Sequence, residues 1–352
     1  MTSASSRSRG RTSTLCAVCM VLIAAWAAAA PAAAQAAPAV FPVCIQMGGQ
    51  AGPDIAGNMA VWTDNRNGNL NIYGRNLNSG NGFSVCKNQF LQDNPSVAAT
   101  VIGSRTHYVA VWVDKRNHDG GDIYGRDLTT KHNFVVSRSA ALKWFPKIVD
   151  QWVVWIEAED PAGPYTVRAR DLTAAKTYKI ATSTVLSSLG ASRRTVGDKT
   201  VYTAVYASSG GDISGRNLPA GAPFRVSQTS TFEWSPDISA NRVVWWEAGG
   251  RVMLKNLKTG KRSSVGLGSR PRIDGELVTW DGGGKGGSFA LNYKAGAAIY
   301  VRDVARGAST IKIAQNDLTC LFPAISGDAV VWESGPARRV LSHIHIYGAR
   351  LK

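Results

Sequence analysis

Val111-Trp112-Val113-Asp114-Lys115-Arg116, followed shortly by Asp122-Ile123-Tyr124-Gly125-Arg126-Asp127-Leu128, is the stretch whose reading decides the fold. Nearly the same words stand at Val61-Trp62-Thr63-Asp64-Asn65-Arg66 with Ile72-Tyr73-Gly74-Arg75-Asn76-Leu77, and weaker copies return until the C-terminus. A proline precedes the tryptophan by nine places in Pro53 and Trp62, Pro146 and Trp155, Pro236 and Trp245, Pro271 and Trp280, and Pro323 and Trp332. Pro95 and Trp112 are spread by an insertion around Gly103 to His107, and Arg193 and Tyr202 hold the two places in the fourth unit. Self-similarity at this spacing marks a repeat architecture.

Within each unit the local chemistry is that of β-strands. Gly57-Asn58, Gly197-Asp198 and Gly327-Asp328 are tight-turn pairs between apolar runs. Val330-Val331-Trp332 and Val243-Val244-Trp245-Trp246 are β-branched and aromatic, as buried strands are. The Ile-Tyr-Gly-Arg phrase supplies a third strand, and alternating pairs such as Phe83 with Val85 and Phe134 with Val136 supply a fourth. The expectation is an all-β fold, a seven-bladed β-propeller of four-stranded blades, with six blades as the alternative. The seventh unit stops after its third strand, and Phe41-Pro42-Val43-Cys44 matches Phe83-Ser84-Val85-Cys86, so the N-terminal strand should complete the last blade. Closure of this kind removes free sheet edges.

In its Trp-x-Asp-x-Arg and Asp-Ile-Tyr-Gly-Arg-Asp-Leu phrases the chain resembles the TolB-type, WD40-like propeller repeats of exported bacterial proteins, from about Phe41 to Lys352. The resemblance implies blade structure and no particular activity. The family's serine-proline-aspartate-glycine start is approached only by Ser235-Pro236-Asp237, with Ile238 in the glycine place. TolB resembles a six-bladed propeller with an additional N-terminal domain, for which this chain has no room, so a role in the Tol complex is not implied.

The first 36 residues read as a secretory signal: Arg7, Arg9 and Arg11, an apolar run from about Leu15 to Ala30, then Ala34-Gln35-Ala36 as a cleavage site. Residues 37–352 are then one propeller domain, secreted or periplasmic and not membrane-spanning after cleavage. The 352 residues carry a formal net charge of +16, and loss of the three signal arginines leaves about +13. Such a balance suits anionic partners. Cys44, Cys86 and Cys320 remain in the mature chain, with Cys44 to Cys320 the expected disulfide and Cys44 to Cys86 left open.

The acids after the tryptophans, Asp64, Asp114, Glu157, Glu247, Asp281 and Glu333, recur by blade and read as structural, as do Arg75, Arg126, Arg170, Arg216, Lys255 and Arg302. Among the histidines, His343 and His345 stand two apart, the spacing of one strand face, but without a third ligand; no metal and no cofactor is expected. Gly282 to Gly286 lacks the hydroxyl residue and helix of a P-loop. The loops between second and third strands vary most and carry Arg66, Lys115, Arg116, Lys285, Lys294, Arg338 and Arg339, an expected basic binding face. The leading expectation is therefore a monomeric, non-enzymatic scaffold recognising a protein or an acidic polymer or glycan of the envelope, without specific nucleic-acid recognition. The alternative is a propeller-based carbohydrate lyase or hydrolase, which requires acid, base or metal groups converging at the channel mouth.

Overall fold

The computed structural model describes residues 38–102, 104–183, 185–283, 296–313, 318–336 and 341–351. Seven antiparallel four-stranded sheets succeed one another along the chain. The first blade is typical: Gln50–Ala56, Met59–Asp64, Asn71–Asn76 and Gly82–Cys86, running from the channel outward. The turn at Gly57 has φ +54°, a left-handed conformation that glycine adopts without cost. In the last blade Thr319–Ser326, Ala329–Gly335 and His345–Arg350 are completed by Val40–Cys44, which pairs Val40 with Ala349 and Cys44 with Ile346. The blades number seven, and the N-terminal strand closes the ring as its sequence match requires. Among the described residues no helix is long and apolar enough to cross a membrane.

The tryptophan that every second strand but the fourth blade's carries is the core of a blade-to-blade interface. Trp62 packs on Val43, Ala329 and Ile346 of the last blade; Trp112 on Val61, Ile72 and Val85 of the first; Trp155 on Val111, Ile123 and Val136 of the second. Trp245, Trp280 and Trp332 repeat this on the fourth, fifth and sixth blades. Trp112, Trp155, Trp245, Trp280 and Trp332 are fully buried. Each such side chain is worth about 3–5 kcal/mol against alanine.

The repeated acids and bases serve the same joints. Asp64 Oδ2 accepts from Trp62 Nε1 at 2.9 Å, Asp114 Oδ2 from Trp112 at 3.0 Å, and Glu157 Oε2 from Trp155 at 2.8 Å. The third-strand cations reach back to the preceding blade's outer strand: Arg75 donates to the Val43 carbonyl at 2.8 Å, Arg126 to Val85 at 2.9 Å, Lys255 to Val226 at 2.7 Å and Arg302 to Val265 at 3.0 Å. Arg170 departs from this, donating to Thr177 Oγ1 within its own blade.

The glycine of the Ile-Tyr-Gly-Arg phrase has a packing reason. Gly74 pairs with Phe83, Gly125 with Phe134, Gly215 with Phe224 and Gly348 with Phe41 across the third and fourth strands. A Cβ on Gly74 would lie 2.6 Å from the Phe83 ring and 3.0 Å from the Ala60 carbonyl. Where the outer residue is small the glycine is gone: Leu254 pairs with Ser263.

Among the described residues Cys44, Cys86 and Cys320 are free thiols, which corrects the expected Cys44 to Cys320 disulfide. Cys320 lies within the innermost strand of the last blade, whereas Cys44 is on the outermost strand of the same sheet. Three strand spacings, about 14 Å, separate those positions, far beyond the Cα separation a disulfide spans. Cys86 is in the outer strand of a different blade.

Candidate functional site

The innermost strands share a feature that the regular β pattern does not foretell. Each proline sits in a β-bulge, seen as register breaks between Ala51 and Asp54, Asp93 and Ser96, Trp144 and Lys147, Trp234 and Asp237, Ser269 and Arg272, and Leu321 and Ala324. The residue before the proline is left-handed: φ is +56° at Asn94, +50° at Phe145, +52° at Ser235, +49° at Arg270 and +51° at Phe322, with Gly52 at +58°. Non-glycine residues pay for this conformation, and before proline they ordinarily stay extended. A bulge redirects side chains, and here it lays successive residues along the channel. The fourth blade has no proline, and its strand Gly190–Val196 pairs without a bulge.

The result is a cavity of about 410 Å³ on the ring axis, lined by residues of six innermost strands and by Ser188 and Leu189, which precede the innermost strand of the fourth blade. Pro53, Pro95, Pro146, Pro271 and Pro323 wall it, with Phe145, Leu189, Trp234 and Phe322 among its apolar groups. The residues following the prolines bring three charges from three blades to its lining, Asp54, Lys147 and Arg272, and Asp237 of a fourth blade interacts electrostatically with Lys147 and Arg272.

Lys147 Nζ lies 3.2 Å from Asp54 Oδ2, and that oxygen also accepts from the Val97 amide of the next blade at 3.1 Å. Asp237 Oδ2 accepts from the Ile273 amide at 3.1 Å. The Arg272 side chain makes no hydrogen bond or ion pair among the described residues, and it acts on Lys147 and Asp237 electrostatically. Burial lowers the Lys147 ammonium below its ordinary pKa, although Asp54 opposes the shift. Burial raises the Asp237 carboxyl, with Arg272 and Lys147 opposing. An amine pushed toward neutrality beside a carboxyl pushed toward its acid form, in a cleft, is the environment of acid–base chemistry.

At the rim, Arg270 lies over the Phe322 ring at 4.3 Å and donates to both Asp281 oxygens, at 2.7 and 3.0 Å. Its charge is neutralised within the protein, so among the described cations that line the cavity Arg272 is the one left to meet a ligand.

The expected basic loop face is only partly as drawn. Arg66 is held by both oxygens of Asp64, approaches Cys44 Sγ at 3.0 Å and stacks on Tyr73 at 4.1 Å. Arg116 repeats this with Asp114 and, at 4.1 Å, Tyr124. Both arginines are joint-builders, whereas Lys115 is half-buried and its ammonium makes no ion pair among the described residues. Lys285, Lys294, Arg338 and Arg339 lie outside the described residues.

His343 belongs to a short 3-10 turn and His345 to the strand after it, where its Nδ1 is 2.9 Å from Gln50 Oε1; the two share no strand face. Sequence reading missed Asp54, Lys147, Asp237 and Arg272. The usable signal was the column after each proline, where the residue type changes from blade to blade while the tryptophan column barely does.

No protein-family model matches the sequence, and no curated protein sequence matches it. Among solved structures, an oligogalacturonate lyase from Vibrio parahaemolyticus overlays with a TM-score of 0.60 at 13% identity, covering 89% of this chain and 93% of that one. An oligogalacturonate lyase in complex with manganese gives 0.59, also at 13% identity and over 89% and 93% of the two chains. A puromycin hydrolase gives 0.60 at 10% identity over 86% of this chain, which spans about half of that protein, 52%. TolB from Acinetobacter baumannii gives 0.47 at 12% identity, over 70% and 60% of the two chains, too slight a likeness to add to the argument. At these identities the overlays establish the propeller fold alone. Among the described residues no three His, Cys, Asp or Glu side chains gather as a metal site, so their donor set does not fit a manganese centre.

Proposed function

We propose that the protein is a carbohydrate-active propeller enzyme that cleaves an anionic glycan in its channel, by elimination rather than by hydrolysis. The carrying observation is the convergence of Asp54, Lys147 and Arg272 from three blades on a cavity walled by prolines and aromatic rings, with Asp237 of a fourth blade interacting electrostatically with Lys147 and Arg272. Flat apolar walls accept the faces of sugar rings, and a few placed polar groups orient them. Arg272 is the anchor for a sugar carboxylate and stabilises the charge that builds on it. Lys147, as the neutral amine, takes the proton from the carbon bearing that carboxylate. The electron pair left behind forms a carbon–carbon double bond as the neighbouring carbon–oxygen bond breaks, and protonated Asp237 gives its proton to the departing oxygen. Loss of a proton from Lys147 and gain of one by Asp237 restore the starting state. Asp54 positions the amine. Hydrolysis would need a second carboxylate free to act, and Asp54 is engaged by Lys147 and the Val97 amide.

The non-catalytic reading, capture of an acidic polymer, draws on the net charge of +16. The signal pattern of the first 36 residues supports an exported setting for either role.

The test is incubation with oligomers of galacturonate, of other uronates and of neutral glucose, following the ultraviolet absorbance of an unsaturated product. Elimination predicts the signal with a uronate and its loss in Lys147→Met and Arg272→Met. Saturated products would replace elimination by hydrolysis. Uronate binding without turnover would return the protein to the scaffold reading.

A further inference from the structure

The largest exposed apolar side chains on the first blades stand together on the end of the ring where the second strands finish. Met47 is 89% exposed and Ile45 55%, on the loop that enters the first blade; Phe90 and Leu91 are each 42% exposed, on the loop that enters the second. The two loops are joined through the loop between them: the Asn65 amide donates to the Gly49 carbonyl at 3.0 Å, and Asn69 Nδ2 donates to the carbonyls of Asn88 and Phe90 at 2.7 and 2.9 Å. The Lys115 amide extends the arc by donating to the Leu91 carbonyl at 2.9 Å.

The exposure is built. Gln50 and Gln92, both fully buried, occupy equivalent places and hold the loops from beneath. Gln50 Nε2 donates to the Gln46 and Gly48 carbonyls at 3.2 and 2.9 Å, and Gln92 Nε2 to Asn88 Oδ1 at 2.6 Å and to the Phe90 carbonyl. Buried Lys143 braces the next such loop in the same way, through the Ser139 and Ala141 carbonyls, yet that loop carries Arg138, Ser139 and Ala140 at its tip. The brace therefore does not require apolar tips; the first two loops have them for another reason.

Their surroundings indicate what covers them. Lys87 and Arg138 are exposed beside the arc and Lys115 is half-exposed, against one exposed carboxylate on these loops, Asp119. We propose that this arc docks on an anionic lipid surface, with Ile45, Met47, Phe90 and Leu91 entering the boundary between headgroups and acyl chains and the cations remaining at the phosphates. Apolar tips interleaved with cations match such an interface. A second copy of this chain is a poor occupant, because two bodies of formal charge +16 would meet on basic faces.

The test is vesicle flotation with phosphatidylcholine alone and with phosphatidylcholine containing phosphatidylglycerol. It uses the full chain and, because every sheet of the ring is formed within residues 40–350, also the chain from Ala37 on, which lacks the apolar N-terminal run. The expected result is flotation with the anionic vesicles only, weakened about tenfold by Met47→Glu and again by Phe90→Glu, and weakened by Lys87→Glu. Ser79→Glu, exposed at the opposite end, should leave it unchanged, and equal melting temperatures show that all variants are folded. Flotation indifferent to Met47→Glu and Phe90→Glu overturns the proposal. So does failure of the chain from Ala37 to float, and so does a dimer in sedimentation equilibrium that these same substitutions dissolve. Binding of an acidic protein but not of vesicles likewise overturns it.

Discussion

Replacing Gly74 with alanine would place a methyl group inside the envelope of the Phe83 ring. The added Cβ would stand 2.6 and 2.8 Å from two ring carbons and 3.0 Å from the Ala60 carbonyl, against ordinary contacts near 3.5–4.0 Å. Ring and strand would have to part by roughly 1 Å, and overpacking of that kind costs about 1–3 kcal/mol. Alanine's better strand propensity returns about 0.5–1 kcal/mol of it, leaving a net loss of about 1–2 kcal/mol. The fifth blade supplies the control, because there Leu254 faces Ser263. Gly74→Leu should therefore be more damaging than Gly74→Ala, Phe83→Ser should lose the ring's packing, and the two together should recover much of both losses. The assay is urea unfolding of the four proteins at constant m, read as a double-mutant cycle. A double variant as unstable as the sum of the singles, or a Gly74→Ala protein as stable as the parent, would refute the account of why this phrase carries glycine.

Lys147→Met should abolish uronate cleavage and cost about 3 kcal/mol, because Asp54 keeps its charge without its partner; Lys147→Met with Asp54→Asn should restore most of the stability and none of the activity, as melting curves and product assays would show. Asp237→Asn should stabilise the protein at neutral pH. The raised carboxyl contributes stability below the ordinary value of about 3.9 and loses it as pH rises through its folded value. The gain of the variant should therefore vanish below about pH 3.5, and melting temperatures that differ equally at pH 3 and pH 8 would contradict it. Alkylation followed by mass spectrometry should find Cys44, Cys86 and Cys320 unpaired and slow to react until the chain is unfolded, since burial pushes the Cys86 thiol up to about 11 and raises Cys44.

The ring was legible because its determinants are local and repeated. Each tryptophan fills the same slot against the preceding blade, and each Gly-Asn or Gly-Asp pair turns the same hairpin, so seven imperfect copies reinforce one reading. The match of Phe41-Pro42-Val43-Cys44 to Phe83-Ser84-Val85-Cys86 even located the closing strand. Side chains taken one at a time were less legible. Arg66 and Arg116 looked like a basic face because nothing in sequence reveals that each folds back onto the aspartate two residues before it and a tyrosine further on. The Cys44 to Cys320 pairing does not form because a four-stranded sheet separates its first and last strands more than chain order suggests. The channel charges were invisible for a deeper reason: Asp54, Lys147, Asp237 and Arg272 are far apart in the chain, and only closure of the ring turns one variable column into neighbours.

Closure has a consequence for the chain before it is folded. The outer strand Val40–Cys44 must wait for His345–Arg350, nearly the full length of the protein later. Until then the last blade lacks its outermost strand, and the joint of Trp62 with Val43, Ala329 and Ile346 has no partners on one side. Of the seven joints this is the one that growth from the N-terminus completes last, and it decides whether the two ends of the polypeptide find each other or a neighbouring molecule. Crowded, half-made chains should thus fail by exchanging the first strand, and a ring cut elsewhere and rejoined at its present ends would move that hazard to a new seam.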